Sequence, residues 1–491
     1  MTEKTLKYAI AVLIILVAIS SSTAGYYASL KPAEVTVTTT VTGTETMSAL
    51  SFEDQARAAF PKAEDAHINW QQFAGTTLNF MFVSHPWQTA ISPYIPEFEK
   101  LTGMSVNLEV VDEGSYWDRV VLGLQSKESV FDLTFVSQGA DTYSYYKNGW
   151  IVNIDQFLGN SSLTDQSWYD QGDMYPVMTK VFQMPDGKMY GLPITFEVYM
   201  MFYRKDLFQQ YNIGVPTTMD GWLTAIQRFQ SMSSTTGVYG AVIRGGSQTG
   251  ISDEINAMML DYWGDRPVDP ARFIFFDNNW NPTFNDPAII QGIDTWATVM
   301  KNGPPGITAY DWSEATTAFA QGKAATYWFD ASLFRGTFED PTQSKVAGKV
   351  GYAVVPPAPS GGHRTVLWCW GLAIPTNSQH QAASWLFLEW VTSKLQNALT
   401  GVETSAATRK SAWAFPPLVA NFQEGFATAV AQSIAIASPD NIYYSEYDEI
   451  VMKQNDALHA IYLGQKTAQQ AVGQDLQAQV IQILKDHPPT E

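Results

Sequence analysis

One carboxylate inside an apolar run is the first candidate for chemistry in this chain. Glu197 stands between Phe196 and Tyr199 in a stretch rich in apolar and aromatic residues, which predicts a buried strand. A strand in a core has no need of a charged side chain. We therefore expect Glu197 to accept hydrogen bonds, either from a bound molecule or from a structural partner such as Arg204.

Polar and aromatic side chains also follow three predicted strands. Strands and helices alternate from residue 76, which predicts a parallel sheet with strands at 77–83, 105–111 and 131–136. In such sheets the ligand groups lie at the carboxyl ends of the strands. The loops at those ends carry His85 and Trp87, then Asp112 and Glu113, then Gln138 and Asp141. An alternative role for His85 and Asp141 is to cap the helices that follow.

The chain lacks the common catalytic signatures. It contains no G-x-S-x-G, H-E-x-x-H, GxxxxGK[ST] or G-x-G-x-x-G motif. Its six histidines are scattered, and Cys369 is its only cysteine, which excludes intrachain disulfides and cysteine-based zinc clusters. We therefore expect neither a metal site nor a cofactor, and the chain is not predicted to be an enzyme.

Length and composition limit the class of protein. A chain of 491 residues is too long for one ordinary core, so two large lobes are expected. The net charge of −19 argues against a nucleic-acid partner, which would need clustered Lys and Arg. The 16 Trp residues exceed an average composition, and this surplus indicates a ligand site in addition to core packing.

The amino terminus predicts export. Lys4 and Lys7 precede an apolar run, so residues 1–30 are expected to be a cleaved signal peptide or a membrane anchor. Residues 31–50 are rich in Thr and predict an extended stalk, with an exposed edge strand as the alternative. Residues 51–75 are interpreted as an amino-terminal extension. The positive charge before the apolar run places the body of the protein outside the cell, either anchored to the membrane or secreted.

Seven segments in a fixed order resemble the extracellular solute-binding proteins of ABC transporters, in the family that includes maltose-binding protein. The segments are FDLTFVSQGADTYSYYKNGWIVNIDQFL, YGLPITFEVYMMFYRKDLF, PTTMDGWLTAI, AFAQGKAATYWFD, VGYAVVPPAPSGG, WGLAIPTNSQHQAASWLFLEWV and TSAATRKSAW. The resemblance covers residues 76–484. It implies an α/β fold of the periplasmic-binding-protein-like class II, with two discontinuous lobes joined by hinge strands around a ligand cleft.

The resemblance also implies where the lobes divide. The first lobe is expected to comprise residues 76–195 and 325–364, and the second lobe residues 196–324 and 365–484. Hinge passages are expected near Thr195, Ala324 and Thr365. A ligand that contacts both lobes only in the closed form would shift the population toward closure.

The same resemblance implies a sugar or oligosaccharide ligand and its contacts. Sugars present C–H faces that stack on aromatic rings and hydroxyls that pair with carboxylates and amides. The expected ligand-binding residues are His85, Trp87, Gln138, Asp141, Glu197, Trp328, Asp330, Trp368, Trp370 and Tyr444. Asp330 has helix capping as an alternative role. Trp368 and Trp370 are alternate residues of one strand and should point the same way, with one facing the cleft and the other packed in the core.

These expectations describe the substrate-binding component of an ABC importer, which captures a sugar or oligosaccharide by hinge closure and delivers it to a membrane permease. One alternative is a secreted glycoside hydrolase, which needs two suitably spaced carboxylates. Another is a binding protein for a non-sugar solute. The expected partners are the ligand, the permease subunits and, through an uncleaved amino-terminal segment, the membrane. The chain is expected to be a monomer.

Overall fold

The computed structural model describes residues 50–246 and 251–489. The predicted signal peptide or anchor and nearly all of the Thr-rich stalk lie outside these residues. Within these ranges, no helix combines the length and the apolar character that crossing a membrane requires.

The described residues form a nine-stranded sheet in the order β2-β1-β3-β8-β4-β6-β5, with β7 paired to β4 and β9 paired to β8. The strands are β1 Thr77–Val83, β2 Ser105–Val111, β3 Leu133–Ser137, β4 Leu192–Arg204, β5 Tyr239–Val242, β6 Ala324–Ala331, β7 Val350–Ala353, β8 Thr365–Ala373 and β9 Ala437–Pro439. β1 pairs in parallel with both β2 and β3, as the strand–helix alternation predicted.

Helices alternate with these strands along the chain. As far as β5 they are α1 Phe52–Ala59, α2 Pro86–Ile91, α3 Ile95–Thr102, α4 Glu113–Gln125, α5 Ala140–Lys147, α6 Asp155–Leu158, α7 Gln166–Tyr169, α8 Pro176–Thr179, α9 Lys205–Gln210 and α10 Met219–Thr236. After β5 they are α11 Ile251–Trp263, α12 Pro287–Lys301, α13 Trp312–Ala320, α14 Arg335–Glu339, α15 Gln381–Val391, α16 Lys394–Thr404, α17 Lys410–Trp413, α18 Pro416–Ala420, α19 Phe426–Ile436, α20 Tyr447–Tyr462, α21 Ala468–Gln470 and α22 Gln477–Asp486.

β4 joins the two α/β lobes. Residues 192–198 of this strand pair antiparallel with β8, whereas residues 199–204 pair with β6 and β7. The first half of β4 therefore belongs to the sheet β2-β1-β3-β8, and the second half belongs to the sheet formed with β5, β6 and β7. We call these the first and second sheets. One continuous strand thus serves two lobes, which is the geometry of a hinge.

Two further strands run between the lobes. β8 pairs with β3 of the first sheet at its carboxyl end and with β9 over residues 365–367. β9 leads directly into Ile442 and Tyr444, which pack in the core of the second lobe. The connections between the lobes are therefore β4, β8 and β9.

This pairing contradicts part of the predicted division. β6 and β7 pair with β5 and with the second half of β4, so residues 325–364 are built onto the second sheet and not the first. Conversely, Phe387 of α15 packs on Phe80 of β1 with ring centroids 4.5 Å apart, which places this part of 365–484 in the first lobe. Ala324 begins β6 inside the second sheet and is not a hinge. The strand patterns are local, whereas lobe membership depends on pairing between distant segments.

The amino-terminal extension packs on the first lobe. Ala56 of α1 is fully buried in a small cluster with Leu395 and Leu399 of α16. Arg57 forms ion pairs with Glu53 of its own helix at 2.7 Å and with Glu97 of α3 at 2.5 Å. Within residues 51–75, α1 is thus attached to the first lobe through both apolar and charged contacts.

Candidate functional site

The hinge strands carry a carboxylate and two indole rings on one face of the first sheet. Glu197 of β4 is directly opposite Trp368 of β8 in the antiparallel register. Directly opposed residues share a face, and so do alternate residues of one strand, which adds Trp370 to the same face. The rings of Trp368 and Trp370 are in contact, with centroids 6.2 Å apart. The predicted common direction of the two rings is therefore what the structure shows.

Glu197 is held by one of these rings. Nε1 of Trp370 donates a hydrogen bond to Oε1 of Glu197 at 2.8 Å. The alternative partner considered from the sequence, Arg204, instead forms an ion pair with Asp206 at 2.6 Å. Glu197 is only half-buried. Its carboxylate is thus oriented by Trp370, and the side chain is not fully enclosed.

Two more rings complete an aromatic wall around Trp370. Trp117 of α4 stacks on Trp370 with centroids 6.0 Å apart and an angle of 18° between the planes. The His85 ring lies 5.4 Å from the same indole. We call Trp117, Trp368, Trp370 and His85 the aromatic wall. Trp370 is 8% exposed, whereas the other three are half-buried, so they are the rings that a solute can reach.

Trp117 was not among the residues expected from the sequence. The available signal was its place one turn after the Asp112–Glu113–Gly114 loop, at the carboxyl end of β2. Its neighbour Tyr116 lies on the buried face of α4 together with Val120 and Leu124. Trp117 stands beside that face and is turned toward β8, so helical periodicity alone did not distinguish it from a core ring.

His85 both caps a helix and faces the aromatic wall. Its Nδ1 accepts a hydrogen bond from the backbone N–H of Trp87 at 3.0 Å, which confirms the capping alternative. Burial lowers the pKa of His85 to about 3, so the ring is neutral at pH 7. A neutral ring that accepts at Nδ1 carries its proton on Nε2. His85 therefore presents a hydrogen-bond donor without a charge.

The loop after β3 lies close to the connection between the lobes. Gln138 is 1% exposed, and its Nε2 donates to the carbonyl of Leu367 at 2.9 Å and to Oδ1 of Asp440 at 3.0 Å. This amide is therefore a strut between β3, β8 and the segment after β9 rather than an accessible ligand group. Asp141 accepts a hydrogen bond from Ser137 Oγ at 2.6 Å.

The environment of Asp141 disfavours its charged form relative to an exposed carboxylate. Burial raises the pKa of Asp141 to about 6, and the charge of Asp448 at the start of α20 adds to the rise. Gly139, not Asp141, occupies the N-cap position of α5, so the capping alternative is wrong for this residue. Asp141 is half-buried at the edge of the first lobe and faces the second.

Four of the expected contacts are buried parts of the lobes. Trp87 is 1% exposed and packs on Phe135 with centroids 5.5 Å apart. Trp328 is fully buried, and its Nε1 donates to Thr326 Oγ1 at 2.9 Å. Tyr444 is 3% exposed, with its hydroxyl bonded to the carbonyl of His487 at 2.7 Å. These rings fill cores, so the structure gives them no ligand surface.

Asp330 is the fourth of these residues, and it is an ion-pair partner. Its Oδ1 lies 2.9 Å from Nη2 of Arg244, whose Nε lies 2.6 Å from Oε1 of Glu254. All three side chains are buried, with exposed fractions of 7% or less. The network holds the end of β5 to β6 and to α11. Among the described residues, no group of three or more His, Cys, Asp or Glu side chains is placed to hold a metal ion.

The arrangement suits a neutral molecule with both C–H faces and hydroxyl groups. The half-buried indoles of Trp117 and Trp368 offer apolar faces, Glu197 offers acceptors and His85 offers a donor. All four groups are fixed by packing or by hydrogen bonds to neighbouring side chains. Such a site orients a ligand and needs no reaction to do so.

Comparison with known proteins identifies the class. The family model of the bacterial extracellular solute-binding protein matches residues 85–398. The chain is 25% identical over 418 residues to the erythritol/L-threitol-binding protein of Mycolicibacterium smegmatis, covering 82% of this chain and 85% of that protein. It is 27% identical over 340 residues to the mannitol-binding protein of Pseudomonas aeruginosa, covering 68% and 72%.

Solved structures agree with this comparison. The ABC transporter solute-binding protein of Agrobacterium vitis S4 with bound D-mannitol has a TM-score of 0.68 and 25% identity, covering 85% of this chain and all of that one. Maltose-bound T. maritima MalE3 has a TM-score of 0.70 at 17% identity, covering 84% and 100%, and so shows the same fold.

The chain belongs to the bacterial extracellular solute-binding protein family. The predicted family and the class II α/β fold are thereby confirmed, with two lobes joined by hinge strands. The protein is the extracellular substrate-binding component of an ABC importer.

Proposed function

We propose that this protein captures a small neutral polyhydroxylated solute, a linear sugar alcohol in the first place, in the cleft beside the aromatic wall. The observation that carries the proposal is the Glu197 carboxylate, fixed by Trp370 on the same face as the exposed indoles. The relatives that bind erythritol, L-threitol and mannitol support a sugar alcohol. A sugar or oligosaccharide, the ligand expected from the sequence, is the competing solute class.

Each accessible group has a distinct role in this proposal. Trp117 and Trp368 cover the C–H face of the solute, since aromatic rings favour apolar contact over bulk water. Glu197 accepts hydrogen bonds from two neighbouring hydroxyls, and His85 Nε2 donates one to a hydroxyl oxygen. A neutral His85 keeps the net charge of the site negative, which disfavours anionic solutes.

The lobes close on the solute about the three connecting strands. We assign residues 76–197 and 368–404 to the first lobe, and residues 198–367 and 437–489 to the second, in keeping with the strand pairing and with the packing of α15 and α16. Phe426 of α19 packs on Tyr352 of β7, with centroids 5.1 Å apart, and so contacts the second sheet. The solute then stabilises the closed form because it contacts both lobes only there. The closed, loaded protein is delivered to the permease of the importer. The segment before residue 50 serves as the anchor or export signal.

Titration calorimetry against a matched panel tests the proposal. The panel contains four sugar alcohols: erythritol, L-threitol, ribitol and D-mannitol. Maltose represents the oligosaccharides, and putrescine represents the solutes without hydroxyl groups. At least one sugar alcohol is expected to bind more tightly than maltose or putrescine. Binding of maltose alone would show that the ligand is an oligosaccharide. Binding of putrescine alone would refute the proposal that the ligand is hydroxylated.

Two variants test the site itself. Trp117→Ala and Glu197→Gln are each expected to weaken binding about tenfold or more, equivalent to about 1.4 kcal/mol. Trp263→Ala is the matched control, because this half-buried ring lies at the far end of α11, where its Nε1 donates to the carbonyl of Pro267. Unchanged affinity in both site variants would remove the aromatic wall as the site.

The remaining alternative is a glycoside hydrolase. We infer that the protein binds without catalysis. Glycoside cleavage requires a pair of carboxylates, and the wall holds the carboxylate of Glu197 through Trp370, with no second acidic partner shown among the described residues. Incubation with maltose and with xylan fragments, followed by chromatography of the products, checks this point. Intact glycans are expected, and cleavage that Glu197→Gln abolishes would establish the hydrolase.

A further inference from the structure

Two buried carboxamides lie on the second lobe where it meets the first, each with an oxygen that has no hydrogen-bond partner. Asn256 of α11 is 2% exposed and Asn441, after β9, is 3% exposed. Within the described part of the chain, Oδ1 of each residue is buried and unpartnered. Buried polar atoms are almost always hydrogen-bonded in native proteins, so two exceptions close together call for an explanation.

Asp440 brings these two residues together and ties them to the first lobe. Its Oδ2 accepts a hydrogen bond from Nδ2 of Asn256 at 2.9 Å, and its Oδ1 accepts one from Nε2 of Gln138 at 3.0 Å. Because the amide nitrogen of Asn256 is turned to Asp440, its carbonyl oxygen must face the other way. The fixed orientation leaves a buried acceptor on the side of Asn256 that is turned away from Asp440.

Asn441 faces the first lobe from the adjacent position. Its Oδ1 lies 3.9 Å from where a Cβ on Gly139 would stand, and Gly139 belongs to the loop after β3 that also carries Gln138. Next to it, Tyr443 stacks on Tyr143 of α5 with centroids 5.0 Å apart and planes 9° apart. The two lobes are therefore in contact around Asn441, and its unpartnered oxygen lies at their junction.

We propose that Asn256 and Asn441 form the second-lobe half of the solute site, with their Oδ1 atoms accepting hydrogen bonds from solute hydroxyls. This assignment rests on the proposed function, and it extends that function by naming contacts on the lobe opposite the aromatic wall. Carboxamide oxygens are neutral acceptors, so they suit hydroxyl donors and give no preference for a charged solute. A solute that bonds to them bridges the lobes and favours closure.

Solute binding by these two residues would also explain why their Oδ1 atoms have no partner among the described residues. A site built to bond a hydroxyl keeps its own polar group without a protein partner, and it rejects analogues that lack the hydroxyl. A chain that had only to fold would gain by pairing or removing such atoms. Two oxygens at the lobe junction are thus a feature of recognition rather than of the core.

The test uses Asn441→Ala and Asn256→Ala of the full chain, with D-mannitol and erythritol as probes. Each variant is expected to lower the affinity about fivefold to tenfold, the effect of losing one neutral hydrogen bond. Ser384→Ala is the matched control, because this fully buried hydroxyl of α15 also has no partner among the described residues and lies in the first lobe. The control is expected to bind like the wild type.

Thermal unfolding separates recognition from a purely structural role. The rise in Tm that saturating D-mannitol produces should shrink in both asparagine variants. The ligand-free Tm of Asn256→Ala is expected to fall as well, because that variant also loses the hydrogen bond to Asp440, so the ligand-induced rise is the quantity that reports recognition. A lowered ligand-free Tm with an undiminished rise would overturn the assignment. If an alanine variant fails to fold, the serine variant at the same position takes its place under the same criteria.

The outcomes distinguish this inference from the proposed function. Wild-type binding that both asparagine variants retain unchanged would overturn the assignment and leave the proposed function standing. A wild type that binds neither D-mannitol, erythritol nor any other sugar alcohol of the panel would overturn both.

Discussion

Glu389 gives a prediction whose magnitude follows directly from the structure. This side chain of α15 is fully buried, and both its carboxyl oxygens lack a hydrogen-bond partner within the described residues. Burial, reinforced by the charge of Asp165, raises the pKa of Glu389 from 4.5 to about 9. At pH 7 the folded protein therefore holds a proton on Glu389 that the unfolded chain releases, and this proton uptake lowers the stability.

The size of the effect depends on pH with a definite sign. Below pH 4.5 both states are protonated and no cost arises; the cost then grows as the pH rises toward the folded pKa and is constant above it. At pH 7 the pH stands about 2.5 pKa units above the unfolded value, which at about 1.36 kcal/mol per unit is about 3 kcal/mol. Glu389→Gln removes the titration with nearly the same shape, so the variant should be more stable by about this amount at pH 7.

Thermal unfolding of Glu389→Gln and wild type between pH 4.5 and 8 measures this difference. The variant should unfold at a higher temperature at pH 7, and the gap should close as the pH falls to 4.5. Glu128→Gln is the control, because it removes the same charge from an exposed position. A gap that is constant with pH, or one that Glu128→Gln reproduces, would refute the account of Glu389.

Two further predictions concern the lobes. Asp330→Asn removes one of the two carboxylate partners of the buried Arg244 and should destabilise the second lobe by about 3 kcal/mol. The measurement is the Tm, which should fall. An unchanged Tm would mean that Glu254 alone compensates the charge of the guanidinium. In α4, a Cβ at Gly123 would lie 2.2 Å from Phe131, so Gly123→Ala should cost about 1–3 kcal/mol, whereas Gly114→Ala, with open space around it, should not. Equal melting temperatures for the two alanine variants would contradict the close packing.

The sequence was sufficient for the alternation of strands and helices in the first lobe. Apolar runs and strand–helix alternation are local signals, and they located β1, β2 and β3 to within about two residues. The period of two in β8 also predicted the common direction of Trp368 and Trp370. The candidate site around Glu197 therefore follows largely from patterns within single strands.

The predictions that the structure contradicts concern features that depend on contacts between distant segments. Trp87 and Trp328 have the residue type of a ligand contact, and only the packing on Phe135 and the bond to Thr326 show that they are core rings. The third connection, β9, is a three-residue strand, so no periodic pattern in the sequence indicates it. The sequence does not indicate that Oδ1 of Asn441 is buried without a partner, because this burial results from packing between the lobes.

The central claim is that a sugar alcohol lies between the aromatic wall and the second lobe. A crystal structure of the protein grown with D-mannitol measures this directly. A hydroxyl of D-mannitol is expected within hydrogen-bond distance of Glu197, and the carbon chain of D-mannitol is expected against the ring of Trp117 or Trp368. Well-defined solute density elsewhere, with Glu197 bonded only to Trp370, would contradict it.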